Sequence, residues 1–503
     1  MSRALLLRLL QNFQSRFDRF SLRRITGVHG DQPKRPVFVL GVVLLFGGAL
    51  LLTPAWIQSR SASRTVTTAD PALALLPEGA RLEGDAIVHT CSNESQRSLV
   101  RRYYDHSRIF NRGEFERRLI ADNAASFERE RCVAGRTLVI PESQVGPFLN
   151  EPLHRDPGDV RAIYLQGGNF QPGRLAAEAE RLRSIGANGI VFDVKDIVGV
   201  VNYRSSVPEV EAYRRHTPPI ANLAKSIHFL HTQGIYVIAR MALFQDENLA
   251  IRRPDLAIRD GGAPGGILLV KNKPLWVDPG QPEVRSYNWA ILAELIRMGV
   301  DEVQFDYVRY PAEGNLSRVT YHDVRTPADK TGHLKTFLFG AWMLSREVDV
   351  HLAIDVFGIV AWGEEADVHN TGQRIAELAL FVDVVSPMLY PSHFSRGFHG
   401  YANPADMGYH FYNEGVTRFR ELTGHRVVVR PWIQAFRWRV TNFNEDYIRD
   451  QLRGSESAGG SGWMMWNAGN QYDLVYRALR NARAASNTEG HDAELSGMLP
   501  PGL

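Results

Sequence analysis

The sequence is poor in net charge and in recognisable catalytic signatures. Its 503 residues carry a formal net charge of only +3 and include two cysteines. The small net charge gives no global signature of nucleic-acid binding. No HExxH or CxxC metal motif, GxSxG elbow or P-loop occurs in the chain. We therefore predict no nucleic-acid partner, no cofactor and no bound metal.

A single long uncharged stretch, Val37–Ile57, contrasts with the rest of the chain. Its roughly 21 residues are enough to cross a bilayer as a helix. Residues 1–35 carry eight Lys or Arg against two Asp, and Trp56 occupies an interfacial position. The positive-inside rule predicts a cytoplasmic segment at 1–35, a transmembrane anchor at 36–57 and the bulk of the chain in the periplasm, on a bacterial inner membrane. A cleaved signal peptide, whose basic segment is normally shorter, and a buried core helix are the alternatives.

A small α/β module is predicted at residues 84–143, after a linker at 58–83 that is rich in Ser, Thr, Ala and Pro. Its apolar and helical stretches follow the order strand, helix, helix, strand. The segments LIADN and CVAGRTLVIPE resemble those of a LysM module. That resemblance implies binding to N-acetylglucosamine polymers such as peptidoglycan. The alternative is a small spacer with no binding function.

The two cysteines, Cys91 and Cys132, both lie in this module and beyond the predicted anchor. An oxidising envelope compartment would permit a disulfide between them. The sequence therefore favours a Cys91–Cys132 disulfide that constrains the module. Two unrelated buried thiols are the alternative.

Residues 158–485 alternate between β-rich runs and amphipathic helical stretches. Eight such runs over roughly 300 residues are typical of a (β/α)8 TIM barrel. A doubly wound open sheet is the alternative, but the segment after the first run, Tyr164–Phe170, has no GxGxxG phosphate fingerprint. The polar tail at 486–503 is predicted to be disordered. The β-rich runs are Arg161–Gly167, Gly189–Val194, Ile235–Met241, Glu302–Val308, His351–Gly358, Asp383–Pro391, Val427–Phe436 and Gly462–Ala468.

Strand four, Glu302–Val308, places a carboxylate at the end of the barrel where TIM-barrel active sites form. Because side chains alternate along a strand, Gln304 and Asp306 are expected to face the barrel axis and Tyr307 to face the helices. A carboxylate that points inward is costly to bury unless it has a function or a partner. We interpret Asp306 as catalytic, with a structural pair to Arg309 as the alternative.

Strand five carries a second inward carboxylate, Asp355. Glycoside hydrolysis requires two such groups. One stays protonated and gives its proton to the leaving oxygen, and the other is ionised and acts as nucleophile or as base for water. The proximity of two carboxylates helps to push their pKa values apart. Asp355 is therefore the second predicted catalytic residue, and Glu364 and Glu365, in the following loop, are the alternatives for the acid.

Further polar and aromatic side chains at the strand ends are predicted to bind substrate. Asp193 and Lys195 share a face of strand two and could instead form an internal ion pair, whereas Arg240 could pair with Asp193 or Asp306. Flat aromatic rings stack on the C–H faces of sugars, so a set of them at one end of a barrel favours a carbohydrate cleft. The predicted substrate-binding residues are Asp193, Lys195, Arg240, Arg309, Tyr390, Arg430, Trp432, Gln434 and Trp466. The aromatic set is Phe170, Phe244, Trp276, Tyr310, Trp362, Tyr390, Trp432, Phe436, Trp438 and Trp466.

Several long blocks resemble a family of bacterial glycoside hydrolases. They include VFDVKD, WVDPGQPEVRSYNWAILAELIRMGVDEVQFDYVRYP, IDVFGIVAW and VDVVSPMLYPSHFSRGFHG. The resemblance implies a TIM barrel distantly similar to the α-amylase class, and a polysaccharide substrate. It also implies a nucleophile-like role for Asp306, at the end of strand four. Amylase-like enzymes place a Glu after strand five, where this chain has Asp355.

We therefore expect a membrane-anchored glycoside hydrolase that acts on an envelope or exported polysaccharide. A non-catalytic glycan-binding scaffold would need the same aromatic residues but not two carboxyls about 5–10 Å apart. A metal-dependent hydrolase is a third interpretation, which a bound metal at the strand ends would establish.

Overall fold

The computed structural model describes residues 76–363 and 365–483. The predicted cytoplasmic segment, anchor and tail, most of the predicted linker, and Glu364 lie outside these ranges. Within them, no helix is both long enough and apolar enough to cross a membrane.

The described residues form strands and helices that alternate over most of the chain. The strands are β1 (Ala80–Glu83), β2 (Ala86–Thr90), β3 (Phe127–Glu128), β4 (Arg131–Cys132), β5 (Thr137–Val139), β6 (Arg161–Leu165), β7 (Gly189–Lys195), β8 (Tyr236–Ala242), β9 (Arg259–Asp260), β10 (Glu302–Asp306), β11 (Val319–Thr320), β12 (His351–Phe357), β13 (Val384–Met388), β14 (Val428–Val429), β15 (Trp432–Gln434) and β16 (Trp463–Trp466). The α-helices are α1 (Gln96–Tyr103), α2 (Arg112–Asp122), α3 (Pro172–Ser184), α4 (Pro208–Ala212), α5 (Leu223–Thr232), α6 (Glu247–Arg252), α7 (Pro282–Arg297), α8 (Pro327–Ser345), α9 (Glu365–Thr371), α10 (Ile375–Leu378), α11 (Gly408–Leu422) and α12 (Glu445–Ser457). Residues 473–483 are also helical.

Nine strands form one parallel sheet, in the order β14-β13-β12-β10-β8-β7-β6-β16-β15. Its two edge strands, β14 and β15, are separated along the chain only by Arg430 and Pro431. The backbone N–H of Arg430 donates to Val385 of β13 at 3.0 Å, and that of Met464 of β16 donates to Pro431 at 3.1 Å. One chain segment therefore pairs with both ends of a curled sheet. With helices between successive strands, this is a TIM-like α/β fold and not an open doubly wound sheet.

The curled sheet is packed on both of its faces. Every residue of β7 and β8 is buried, as expected for parallel strands with helices outside and side chains filling the interior. Inside the barrel, Glu302 and Arg430 form an ion pair in which both side chains are fully buried. The apolar side chains of the interior cluster are Val160, Ala162, Tyr164, Val191, Tyr236, Ile238, Tyr390, Trp432 and Met464.

The small module has a three-stranded antiparallel sheet of order β1-β2-β5. Helices α1 and α2 lie between β2 and β5 along the chain, which is the predicted order of strand, helix, helix, strand. Strand β1, however, occupies Ala80–Glu83, within the segment predicted as a linker, because it pairs with β2 over its full length. A disulfide joins Cys91 to Cys132, whose Cα atoms are 5.5 Å apart, a separation that a disulfide readily spans.

Candidate active site

Four charged residues lie together at the ends of four neighbouring strands. Asp193 of β7 pairs in register with Arg240 of β8. Asp306 lies two residues beyond the position of β10 that pairs with Arg240. The register of β10 and β12 places Asp306 beside Asp355. The sheet thus brings one cation and three carboxyl groups, from residues up to 162 positions apart in the chain, to the inner face of the barrel.

The guanidinium of Arg240 contacts all three carboxyl groups. Its Nη1 pairs with Oδ1 of Asp193, its Nη2 pairs with Oδ2 of Asp306, and its Nε lies 3.4 Å from Oδ2 of Asp355. Burial would lower the pKa of this guanidinium, but the three carboxyl groups raise it well above its ordinary value. Arg240 is therefore a permanent cation between the two predicted catalytic residues.

Asp355 is the most deeply buried of the three carboxyls. The indole N–H of Trp432 donates to its Oδ1 at 2.7 Å. Its Oδ2 faces Arg240 but, among the described residues, makes no hydrogen bond. Burial, and then the charge of Asp306, raise the pKa of Asp355 well above its ordinary value, although Arg240 and Trp432 oppose them. This environment favours a carboxyl group that keeps its proton.

Asp306 sits at a sharp change of chain direction. The next residue, Tyr307, has a left-handed backbone with φ of 52°, and its N–H donates to Oδ1 of Asp306 at 2.6 Å. The turn breaks the alternation of the strand, so that Tyr307 lines the cavity. Its ring also packs against the outer core beside Trp276, so the prediction that Tyr307 packs under the helices is only partly correct. Burial and the charge of Asp306 raise the pKa of Tyr307 to about 12, so its hydroxyl stays a donor at neutral pH.

These side chains line a cavity of about 610 Å³, a size that suits a small-molecule or sugar site. Arg240, Asp306 and Asp355 supply its charged groups, together with Arg309 and Glu313. Much of the remaining wall is aromatic, and these residues are Tyr307, Phe357, Tyr390, Phe394, Phe398, Trp432 and Trp466.

A second cavity, of about 860 Å³, adjoins the first, and the two share His393 and Trp466. Phe436 and Trp438 line the second cavity. Trp438 is 56% exposed. Aromatic and polar side chains therefore line both cavities.

The structure corrects the predicted role of Lys195. The register of β7 shifts between Asp193 and Lys195, so the two side chains do not share a face. Nζ of Lys195 lies 2.8 Å from Oδ2 of Asp246 and donates to the carbonyl of Ala242 at 2.9 Å. Lys195 is completely buried, and it is neither a cavity residue nor the partner of Asp193.

Two predicted substrate-binding residues from the seventh predicted strand, Val427–Phe436, are also corrected by the structure. Arg430 is buried against Glu302 inside the barrel. The side chain of Gln434 donates to the carbonyl of Phe436 at 2.9 Å and accepts from the N–H of Ser392 at 3.2 Å. Neither lines the cavity, because each is buried and directed at other groups of the protein.

Asp193 pairs with Arg240, a partner that the sequence proposed, and not with Lys195. Asp193 also accepts a hydrogen bond of 2.7 Å from the hydroxyl of Tyr164. It therefore holds Arg240 in place and does not line the cavity. Arg309, in contrast, does not have its proposed structural partner, Asp306. Arg309 lines the cavity but pairs with Glu313 at 2.9 Å and not with Asp306. Glu313 was missed by the sequence reasoning, although its spacing of four residues from Arg309 is a usable signal.

The predicted aromatic rim is only partly correct. Tyr390, Trp432 and Trp466 line the first cavity, and Phe436 and Trp438 line the second. Trp362 packs within an aromatic cluster beside Phe394 and Phe398. Glu364 lies outside the described residues, as does the side chain of Glu365. Four predicted rim residues are instead buried in the outer core, namely Phe170, Phe244, Trp276 and Tyr310.

A family model described as "Putative glycosyl hydrolase domain" matches residues 162–472, which include all four charged residues of the site. No curated protein matches the chain.

Several solved structures are similar to the chain. A hypothetical protein from Ruminiclostridium thermocellum is 27% identical, with 39% of this chain and 97% of that chain covered and a TM-score of 0.34. The glycoside hydrolase domain of PgaB (BpsB) from Bordetella bronchiseptica is 14% identical, with 64% and 98% covered and a TM-score of 0.47. The α-galactosidase TtGalA from Thermus thermophilus is 15% identical, with 70% of each chain covered and a TM-score of 0.39.

Proposed function

The chain belongs to this glycosyl hydrolase family, and from that premise we propose that its TIM-like domain hydrolyses O-glycosidic bonds in a polysaccharide. One observation carries the proposal: Asp306 and Asp355, on neighbouring strands, meet at the guanidinium of Arg240 in an aromatic-lined cavity. Glycoside hydrolysis requires such a pair of carboxyls, whereas a glycan-binding scaffold does not.

The surroundings of the two carboxyls suggest separate roles. Asp355, whose pKa is raised by burial and by the charge of Asp306, donates its proton to the leaving glycosidic oxygen. Asp306 is the carboxylate that attacks the anomeric carbon, and the bond to the leaving oxygen breaks as that oxygen takes the proton. Asp355, now ionised, then takes a proton from a water molecule, whose oxygen bonds to the anomeric carbon as the bond between that carbon and Asp306 breaks. Arg240 holds both groups, and Asp193 positions Arg240.

A polymeric substrate is supported by the second cavity. The two cavities share His393 and Trp466, and the exposed Trp438 lines the second of them. Exposed aromatic rings beside a polar cleft suit the stacking of successive sugar rings. We propose that a glycan chain runs from the carboxyl pair across Trp466 towards Trp438.

The test compares Asp306→Asn and Asp355→Asn in the full-length chain, purified in detergent. Purified envelope and exported polysaccharides are first screened as substrates, and the release of reducing ends identifies the one that is cleaved. Aryl glycosides of the same sugar are then used as substrates with an activated leaving group. Asp306→Asn should lower kcat on every substrate by on the order of 10³-fold or more. Asp355→Asn should be slow on the polysaccharide but much less impaired on an activated aryl glycoside, which needs little proton donation.

The exposed Asp323 provides a matched control, because Asp323→Asn removes a carboxylate that lines neither cavity. Melting temperatures of the same samples separate lost catalysis from lost folding. Near-normal turnover per folded molecule in Asp306→Asn would end the catalytic assignment and favour the non-catalytic glycan-binding scaffold.

We further propose that residues 36–57 anchor the chain in a bacterial inner membrane, with the TIM-like domain in the periplasm, and that the small module binds peptidoglycan. The uncharged stretch with its basic flank supports the anchor. The strand, helix, helix, strand order of β2, α1, α2 and β5 supports the module. Co-sedimentation of the full-length chain with purified peptidoglycan sacculi, with cellulose as the control polymer, tests the second proposal. A chain that stays in the supernatant would overturn it.

A further inference from the structure

A cluster of metal-ligating side chains lies outside the carboxyl site. His410 and Glu414 are one turn apart on α11, and His399 belongs to the short turn Phe398–Gly400 that precedes this helix. We propose that His399, His410 and Glu414 bind a zinc ion. The three residues form the one group of three such side chains within ligand distance of one another among the described residues.

The candidate ligand atoms are close enough to share one ion. Oε2 of Glu414 lies 3.1 Å from Nε2 of His410 and 3.4 Å from Nδ1 of His399, and all three atoms lie within 4.8 Å of one another. In a tetrahedral zinc site with bonds of about 2.0–2.1 Å, ligand atoms are about 3.3–3.4 Å apart. Two imidazoles and a carboxylate are also ligands that zinc commonly takes, with water in the fourth position.

The carboxylate of Glu414 is oriented for this role by its other oxygen. Oε1 accepts two hydrogen bonds from Arg418, at 2.9 and 2.7 Å, and one from the indole of Trp362, at 3.2 Å. Oε2 is thereby left to the two histidines. Outer contacts of this kind fix the orientation of a metal ligand, and Arg418 balances the charge of Glu414 so that the imidazoles supply much of the affinity.

The Nε2 atom of His410 is a second observation that favours a metal ion at this position. It is shielded from solvent and, although Oε2 of Glu414 is 3.1 Å away, it makes no hydrogen bond within the described part of the chain. A buried polar atom without a hydrogen bond is costly, and a metal ion would satisfy it.

The position of the site suggests what the ion does. His399 has a left-handed backbone, with φ of 52°, between two glycines that also have positive φ. Its neighbour Phe398 lines the first cavity. An ion shared by His399 and helix α11 would fasten this turn, and with it the Phe398 wall of the cavity, to the rest of the domain.

The experiment uses the full-length chain, purified without a histidine tag and freed of metal with a chelator. Zinc is titrated against a competing chromophoric chelator, and bound zinc is counted by elemental analysis. The wild type should bind one zinc ion per chain tightly enough to compete with the chelator. His399→Asn, which tolerates a left-handed backbone, and His410→Gln should each weaken binding by at least about 10–100-fold, the loss seen even for outer contacts. The exposed His216 provides the control, since His216→Ala should bind as the wild type does.

Limited proteolysis gives a second measurement that does not depend on enzyme activity. Arg396 is exposed in the same turn region, so trypsin cleavage after it reports how firmly the turn is held. Zinc should slow this cleavage in the wild type and in His216→Ala but not in His399→Asn. Equal zinc affinity in all four proteins, or cleavage after Arg396 that zinc does not change, would overturn the proposal.

Discussion

The indole nitrogen of Trp432 donates a 2.7 Å hydrogen bond to Oδ1 of Asp355. Both side chains are almost completely buried, so water does not compete for this hydrogen bond. A donor of this kind favours the ionised carboxylate. It therefore opposes burial and the charge of Asp306, which favour the protonated acid. The balance between these effects sets the pH range in which Asp355 can donate a proton.

We predict that Trp432→Phe moves the basic limb of the pH–rate profile to higher pH. Phe keeps an aromatic ring in the wall but cannot donate to the carboxylate, so the pKa of Asp355 rises and the acid keeps its proton at higher pH. The measurement is kcat/KM against pH for the wild type and the variant on the same substrate. A basic limb that stays in place or moves to lower pH would contradict the assignment of Asp355 as the acid.

We predict that Asp355→Asn stabilises the protein at neutral pH by on the order of 1 kcal/mol, within the range common for stabilising substitutions, because it removes a carboxyl group that is buried beside the charge of Asp306. Because the folded-state pKa of Asp355 is raised, the folded state binds more protons than the unfolded state from about pH 3.9 upwards, until the raised pKa is passed. Its contribution to stability is therefore lost as pH rises through this window.

Denaturant unfolding of the wild type and Asp355→Asn, at pH 7 and near pH 4, checks this prediction. The difference in unfolding free energy should be present at pH 7 and should shrink towards pH 4, because the carboxyl stays protonated in the folded state and becomes about half protonated in the unfolded state. Carboxyls that do not interact with Asp355 titrate equally in the two proteins and cancel. A variant that is less stable than the wild type at pH 7 would show that Arg240 needs the charge of Asp355.

The alternation of buried strands and helices could be predicted from the sequence because parallel strands covered on both faces are continuous apolar runs. Gly189–Lys195 and Tyr236–Ala242 are mostly apolar runs of this kind, interrupted by Asp193, Lys195 and Arg240, and both are strands at nearly the predicted bounds. Asp306 and Asp355 could be placed on the inner face by the same logic, since alternation holds up to the end of each strand.

Alternation failed where the backbone departs from regular geometry. The register shift after Asp193 turns Lys195 away from the cavity, and the left-handed Tyr307 brings a predicted helix-facing ring into it. Neither departure has a glycine to mark it. Contacts between side chains of distant strands, such as the ion pair of Arg430 with Glu302, could not be predicted either. A single sequence shows composition and spacing but not which side chains meet across the barrel.

We predict that a chain lacking residues 1–58 remains in the supernatant of a membrane preparation, whereas the full-length chain sediments with the membranes. The reason is that the long uncharged stretch is removed, and the described residues contain no other helix that could span a membrane. High-speed centrifugation after a high-salt wash, with both chains detected by antibody, is the measurement. Retention of the shortened chain in membranes would require a second attachment site.

We predict that Trp438→Ala impairs long substrates selectively. If a glycan chain runs from the carboxyl pair across Trp466 into the second cavity, the exposed indole of Trp438, which lines only that cavity, contacts only substrates that extend beyond the first cavity. Losing one stacking ring should cost about 0.5–1.5 kcal/mol, which corresponds to roughly a 2- to 13-fold fall in kcat/KM on the polysaccharide, expressed mainly in KM. An aryl monoglycoside should be cleaved at the wild-type rate.

Tyr409→Ala is the matched control, because Tyr409 is 45% exposed and lines neither cavity. Equal losses on long and short substrates would place Trp438 in the support of the active site, and no loss on either would confine the glycan to the first cavity.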